Sequence, residues 1–341
     1  MSSVHPVRRV LLFVAVLTVA AACSGDDDDQ PESEPAAGAA TTTTTSVAGE
    51  PVRVVAINQL HGLFCPEETN FCNAPGRLEL LWRAIEEADC PDVVGLAEIG
   101  PAQTTLVPER LPDLCDGAYT LLYDAAGQGE TADQEMILTT LDVVDEGIVE
   151  LSNFPWSGHW AQLDTAIGVV DVVMLHQASS ANNPPCTPQI CSAVCVAGEE
   201  TGTCHTREVL AFLEEHGTPD GIHLVTGDLN KPIDDPRIGL YLDAGFEDTW
   251  LLAGHPECDP ATGEGCTCCI DSDTEDFDGG GLRDPTATRD GRIDFVLARN
   301  LSGCALDADA EVFAGDATSE PIDGYLWPSD HAGVLAAIRC T

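Results

Sequence analysis

Basic residues are what this 341-residue chain has least of: 14 Lys and Arg face 58 Asp and Glu, the formal charge is -44, and Lys231 is the single lysine. Such a surface repels polyanions unless cations intervene, so broad electrostatic capture of nucleic acid is disfavoured. Aromatic residues make up 5% of the chain, and no stretch of them forms a distinct platform for stacking bases. Neither a basic patch nor an apolar membrane-insertion hairpin stands out. Internal repeats are missing, and beyond residue 50 there is no second shift of composition, so residues 51–341 read as one domain, expected as a monomer.

Arg8 and Arg9 precede an apolar run, Val10 to Ala22, that is too short for a transmembrane span and reads as a secretory signal over residues 1–22. Ala20, Ala21 and Ala22 before Cys23 resemble a bacterial lipobox, which makes Cys23 the expected lipidation site; an ordinary cleaved signal is the alternative. Residues 23–50 contain "DDDD" and "TTTTT" without apolar periodicity, as a disordered acidic and Thr-rich tether would. The expectation is an extracytoplasmic protein held to the membrane through an N-terminal lipid anchor.

Fifteen cysteines include Cys23, and the other fourteen form an even set, for which disulfides are the default in an exported protein. Cys65 with Cys72, Cys90 with Cys115, and Cys304 with Cys340 are plausible bridges. A cysteine-based zinc site is the rival reading for "CTPQICSAVC" and "CTCC", although no Cys-x-x-Cys pair recurs.

The mature part repeats one grammar, an apolar run of strand length that stops at residues able to do chemistry. Val52–Ile57 ends at Asn58. Leu78, Leu81, Trp82 and Ile85 stand at helical spacing before a strand, Asp92–Leu96, that ends at Glu98. "QEMILTTLDVV" reads as one further strand with Glu135 at its start, and "AIGVVDVVMLHQASS" as a strand ending at His176. A helix with Val209, Leu210 and Leu213 on one face precedes "GIHLVTGDLNKP", whose exit holds Asp228 and Asn230. "GRIDFVLARN" puts Asp294 inside a strand, and "SDHAGVLAAI" puts Asp330 and His331 at the entrance to the last. Six polar strand termini gathered into one sheet would converge at one edge, and helix followed by strand implies layered α/β packing.

In order, "INQLHG", "DVVGLAEIG", "LHQASS", "GDLNKP", "RIDFVL" and "SDHAGV" resemble the motifs of the endonuclease/exonuclease/phosphatase (deoxyribonuclease I-like) superfamily, over about Val52 to Ile338. The resemblance implies a four-layered α/β sandwich, two mixed β-sheets flanked by helices. It also implies a metal-dependent phosphoesterase that hydrolyses phosphodiester or phosphomonoester bonds with an activated water. Glu98 would be the principal metal ligand, with Asn58 beside it and Asp330 as a further ligand. Asp228 would orient or deprotonate the water, and Asn230 would hold water and phosphate. His331 would contact the phosphate, oriented by Asp294. His176 matches the second histidine of some branches, with Glu135 as its carboxylate partner.

Carboxylates without a cysteine ligand suit a hard divalent ion, Mg2+ first, with Ca2+ or Mn2+ as alternatives. His61, His159, His205, His216, His223 and His255 lack motif partners and read as surface or structural residues. Asp271, Asp273, Asp276 and Asp278 lie in "DSDTEDFDGGG", a candidate structural Ca2+ loop and equally a solvated acidic one. After Glu98 the chain has Ile-Gly where several nuclease branches carry basic or aromatic residues, which leaves nucleic acid, a lipid head group and a small-molecule ester open as substrates. The rival functions are a catalytically inactive surface-anchored binding module of the same fold and a cysteine-rich metal-storage or adhesion lipoprotein.

Overall fold

The computed structural model describes residues 50–65, 70–124, 134–153, 156–270, 279–301, 304 and 309–340, all within the compact unit Ser46–Thr341. The signal, Cys23, nearly all of the tether and the four acidic-loop residues lie outside them. Among the described residues, no helix is long and apolar enough to cross a membrane.

Valine-rich runs build the first sheet. Strand β1 (Val52–Asn58) connects through helix α1 (Asn70–Glu87) to β2 (Val93–Ile99), and β1 and β2 pair in parallel, as a helical crossover requires. Helix α2 (Gln103–Arg110) and a 3-10 turn at Leu111–Gly117 lead to β3 (Thr120–Leu122) and β4 (Gln134–Thr139). The second sheet starts with the antiparallel strands β5 (Asp142–Glu150), β6 (Ser157–Thr165) and β7 (Gly168–His176). It continues through α3 (Thr201–His216) to β8 (Ile222–Asp228), which runs parallel to β7. Helix α4 (Pro236–Asp243), the short β9 (Glu247–Asp248), α5 (Thr249–Leu252) and β10 (Asp294–Arg299) follow, and then β11 (Asp309–Phe313) and β12 (Gly333–Ile338). The strand orders are β11-β12-β1-β2-β4-β3 and β5-β6-β7-β8-β10-β9.

Period-2 alternation sorts each central strand between two apolar layers. Val54 and Ala56 of β1 face Val172, Met174, Leu224 and Val296 between the sheets, whereas Val55 and Ile57 pack under Leu78, Leu81 and Ile85 of α1. On the far side, Val173, Val225 and Phe295 meet Val209 and Leu213 of α3 and Ile238 and Tyr241 of α4. Two mixed sheets flanked by helices are therefore the architecture, as expected.

Two readings of the sequence are corrected. "QEMILTTLDVV" is not one strand: it breaks at Thr140 and Leu141 and supplies β4 to the first sheet and β5 to the second. Nor do the polar termini share a sheet, because Asn58 and Glu98 end strands of the first whereas His176, Asp228 and Asp294 belong to the second. All fourteen cysteines beyond Cys23 pair as disulfides: 65–72, 90–115, 186–191, 195–204, 258–266, 268–269 and 304–340. Cys186, Cys191, Cys195 and Cys204 also bring their sulfurs within 4.8 Å of one another, so the same four side chains, if reduced, are the set the zinc reading requires.

Candidate active site

Register brings the second sheet's polar residues together. His176 of β7 stands opposite Asp228 of β8, and Asp228 stands opposite Asp294 of β10, so three adjacent strands present side chains from one rung. The preceding Gly227 has φ +122, and a Cβ there would lie 2.0 Å from the Leu175 carbonyl oxygen. Only glycine fits that approach beside β7.

The first sheet reaches the same place by a different device. The β2 pairing with β4 shifts register between Leu96 and Ile99, and Glu98 takes φ 54. A bulge of this kind re-aims a side chain. Asn58 then bridges the sheets: its amide nitrogen donates to Glu98 Oε1 at 2.8 Å and to Asp228 Oδ2 at 3.0 Å. Its oxygen accepts from Leu60 N at 2.9 Å, so Asn58 presents a donor to the site.

His176 Nε2 lies 3.7 Å from Glu98 Oε1 and 3.6 Å from Asp228 Oδ2, with Trp156 edge-on to its ring at 5.3 Å. His331 Nδ1 is 2.9 Å from Asp294 Oδ2, while its Nε2 is 3.9 Å from Asp228 Oδ2. Asn230, in the left-handed region at φ 57, gives its backbone N–H to Asp228 Oδ1 at 2.8 Å and its side-chain amide to the Gln177 carbonyl at 2.8 Å. Asp330 accepts from Ser329 Oγ at 3.2 Å. Glu135 is buried at the start of β4 and accepts from Ser157 Oγ at 3.2 Å.

Charge in this cluster is unevenly held. Burial, then the Asp294 carboxylate, push Asp228 up to about 6 against the pull of His331, His176 and Asn58. Burial works against the charged form of His331, but the Asp294 charge and hydrogen bond, with Asp228 and Asp330, raise it to about 10. Glu98 goes the other way: despite burial, His61, His176, His331 and the Asn58 amide hold it down to about 2. Burial raises Asp330, assisted by Glu98 and opposed by His331 and Arg77. The result at neutral pH is a protonated His331 imidazole beside the ionised carboxylates of Glu98 and Asp228.

Three participants escaped the sequence reading. His61 is not a remote structural residue, because its Nε2 lies 3.7 Å from Glu98 Oε2 and its backbone N–H points at the same oxygen at 3.4 Å. Its place three residues beyond Asn58 was the available signal. Arg77 is fully buried and donates to the carbonyls of Gln59, Leu60, Phe71, Cys72 and Pro328, which ties the loop after Asn58 to the segment before Asp330. Cys269 Sγ lies 3.4 Å from His331 Nε2, a contact across 62 residues that no local pattern announces. By contrast His159 and His223 are buried against Glu146 and Arg299, whereas His205, bonded to the Ser152 carbonyl, shares the Trp156 ring with His176 and so backs the site.

The fold these residues occupy is the deoxyribonuclease I-like fold of endonuclease/exonuclease/phosphatase proteins. Among solved structures, D. rerio TDP2 complexed with single-strand DNA product is 19% identical, covering 84% of this chain and 98% of its own, with a TM-score of 0.57. The endonuclease/exonuclease/phosphatase from Bacteroides vulgatus is 16% identical over 86% of this chain and 100% of its own, TM-score 0.59. The one from Beutenbergia cavernae is 19% identical over 86% and 72%, TM-score 0.52. No protein-family model matches the chain, and no curated protein matches it either.

Proposed function

We propose that the protein is a metal-dependent phosphoesterase acting outside the cytoplasm. The observation that carries this reading is the meeting of Glu98, His176 and Asp228, with Asp294 and His331, at the strand ends of two facing sheets. Glu98, His176 and Asp228 offer ligand atoms within 4.8 Å of one another, and Asp294 Oδ1 is buried without a hydrogen-bond partner. So many carboxylates in one buried cluster repel each other, and an oxygen-rich donor set fits a hard divalent ion such as Mg2+. Glu98 and Asp228, with Asp330 beyond them, would hold the ion, which would mask the phosphate charge and polarise the ester.

The chain's own groups supply the remaining chemistry. Asp228, ionised at neutral pH, takes a proton from the attacking water as the new P–O bond forms and the ester P–O bond breaks. Asn230 and Asn58 fix the two carboxylates in place. His331, protonated and locked by Asp294, donates from Nε2 to a phosphate oxygen where negative charge builds. Hydrolysis of bis-p-nitrophenyl phosphate is expected to require a divalent ion, and Asp228→Ala with His331→Ala is expected to lower kcat by about 100- to 10,000-fold. Turnover that survives both changes sinks this assignment, and a wild type inert with every metal favours the binding module.

The anchoring proposal rests on Arg8, Arg9, the run Val10–Ala22 and Cys23. Cys23→Ala should release the protein from the membrane fraction, measured by immunoblot, and retention of the variant there would refute it.

A further inference from the structure

We propose that Cys186, Cys191, Cys195 and Cys204 form a site for one structural zinc ion in the chain whose thiols are free, and that the two bridges they make are the oxidised form of that site. The inference stands apart from the phosphoesterase reading. All four sulfurs lie within 4.8 Å of one another, although the bridges join Cys186 only to Cys191 and Cys195 only to Cys204. Two independent bridges need two pairs of sulfurs, not one cluster of four. Tetrahedral zinc needs the cluster, because zinc-sulfur bonds of about 2.3 Å set the sulfurs about 3.8 Å apart.

Backbone pairing, rather than either bridge, draws the two pairs together. Pro185 pairs with Glu200, Cys186 N donates to the Glu199 carbonyl at 2.6 Å, and Gly198 N donates to the Cys186 carbonyl at 2.9 Å. That neck sets Cys186 beside the start of α3, where Cys204 is buried, whatever the oxidation state of the sulfurs. Between residues 181 and 200 Cys186 is the only buried residue, so the loop has no apolar core and folds around its sulfurs, as metal-held segments do. Cys186, Cys191 and Cys195 line one surface cavity, which gives an ion its entry. Cys195 Sγ is 3.4 Å from Ser192 Oγ, and the N-terminal end of α3 favours thiolate at Cys204. Four soft thiolates select zinc, whereas the carboxylates of the strand ends suit a hard ion. The loop also braces the wall of the active site: Ser192 N donates to Ser152 Oγ at 2.8 Å, and Asn153 N donates to the Ile190 carbonyl at 2.9 Å. His205, next to Cys204, holds the Ser152 carbonyl and meets Trp156.

The test uses a background of Glu98→Gln with His331→Ala, which removes a member of every other candidate ligand group among the described residues. This chain is made in a reducing cytoplasm with zinc and purified without oxygen. It should keep about one zinc per chain through gel filtration, and cobalt in place of zinc should show the intense thiolate charge-transfer and visible bands of a tetrahedral four-sulfur site. Adding Cys186→Ser with Cys204→Ser should lower zinc below about 0.2 per chain, whereas adding Cys65→Ser with Cys72→Ser should leave it unchanged. Where the reduced chain fails to fold, the oxidised folded protein is given a phosphine and zinc. Each bridge then becomes two thiols as phosphine and water give the phosphine oxide and the two thiol protons, and four thiols release four protons as four zinc-sulfur bonds form. The same zinc content and cobalt spectrum are expected by that route. Zinc kept equally by the Cys186 and Cys204 variant, iron in its place, a cobalt spectrum without four sulfurs, or no zinc by either route would overturn the site. Hydrolysis enters none of these readouts, so a protein that cleaves no ester loses the enzyme reading and leaves the zinc site standing.

Discussion

Arg77 concentrates more of the site's geometry than any of its carboxylates. It is fully buried, burial lowers its pKa to about 10 against the opposing charges of Asp330, Tyr325 and Glu98, and its guanidinium holds five backbone carbonyls from three segments. Lys cannot reproduce that planar fork. Arg77→Met leaves several buried carbonyls unpaired and should cost about 4 kcal/mol by urea denaturation; a loss below about 1 kcal/mol would show that the loops hold themselves. At His331 the folded state binds a proton more tightly than the unfolded chain, with about 10 against the ordinary 6.5. Its contribution to stability is therefore complete below pH 6.5 and is lost as pH rises through 10. The chelated protein should lose stability over that window, and Asp294→Asn, which removes the charge that raises His331, should flatten the dependence.

At the level of elements, disulfides do what helix caps do elsewhere. Helix α2 starts after Ala102, which offers no side-chain cap, whereas the Cys90–Cys115 bridge joins the chain just beyond α1 to the 3-10 turn, 25 residues on. Closing a loop of that length restricts the unfolded chain, so Cys90→Ala with Cys115→Ala should cost about 3 kcal/mol in thermal or urea unfolding. Elements buried on both faces were legible from sequence: β1, β2, β7, β8, β10 and β12 are continuous apolar runs, and α1 and α3 follow their periodicity. Strands β5 and β6 were not, because β5 is a mostly exposed edge strand, "DVVDEGIVE", and β6 reads "SGHWAQLDT". The break at Thr140 and Leu141 carries no Gly or Pro to announce a change of sheet. The order of strand-end residues could be read, but the bulge that turns Glu98 and the approach of His61 depend on pairing between distant segments.

Across the whole molecule, a charge of -44 makes self-repulsion a standing cost of compactness, and two cation effects should separate cleanly. Sodium chloride screens the surface without selecting a site, so raising it from low to physiological strength should raise Tm in the wild type and in Glu98→Gln with Asp228→Asn alike. A site-bound ion adds a term set by its affinity. At about 100 times Kd, magnesium should contribute about 2.7 kcal/mol, roughly 5 °C in Tm, beyond sodium chloride of equal ionic strength. That increment should vanish in the double variant, whose carboxylates no longer hold the ion. Equal Tm gains from magnesium in both proteins would mean that the divalent ion acts through the acidic surface, and that the strand-end carboxylates are not its site.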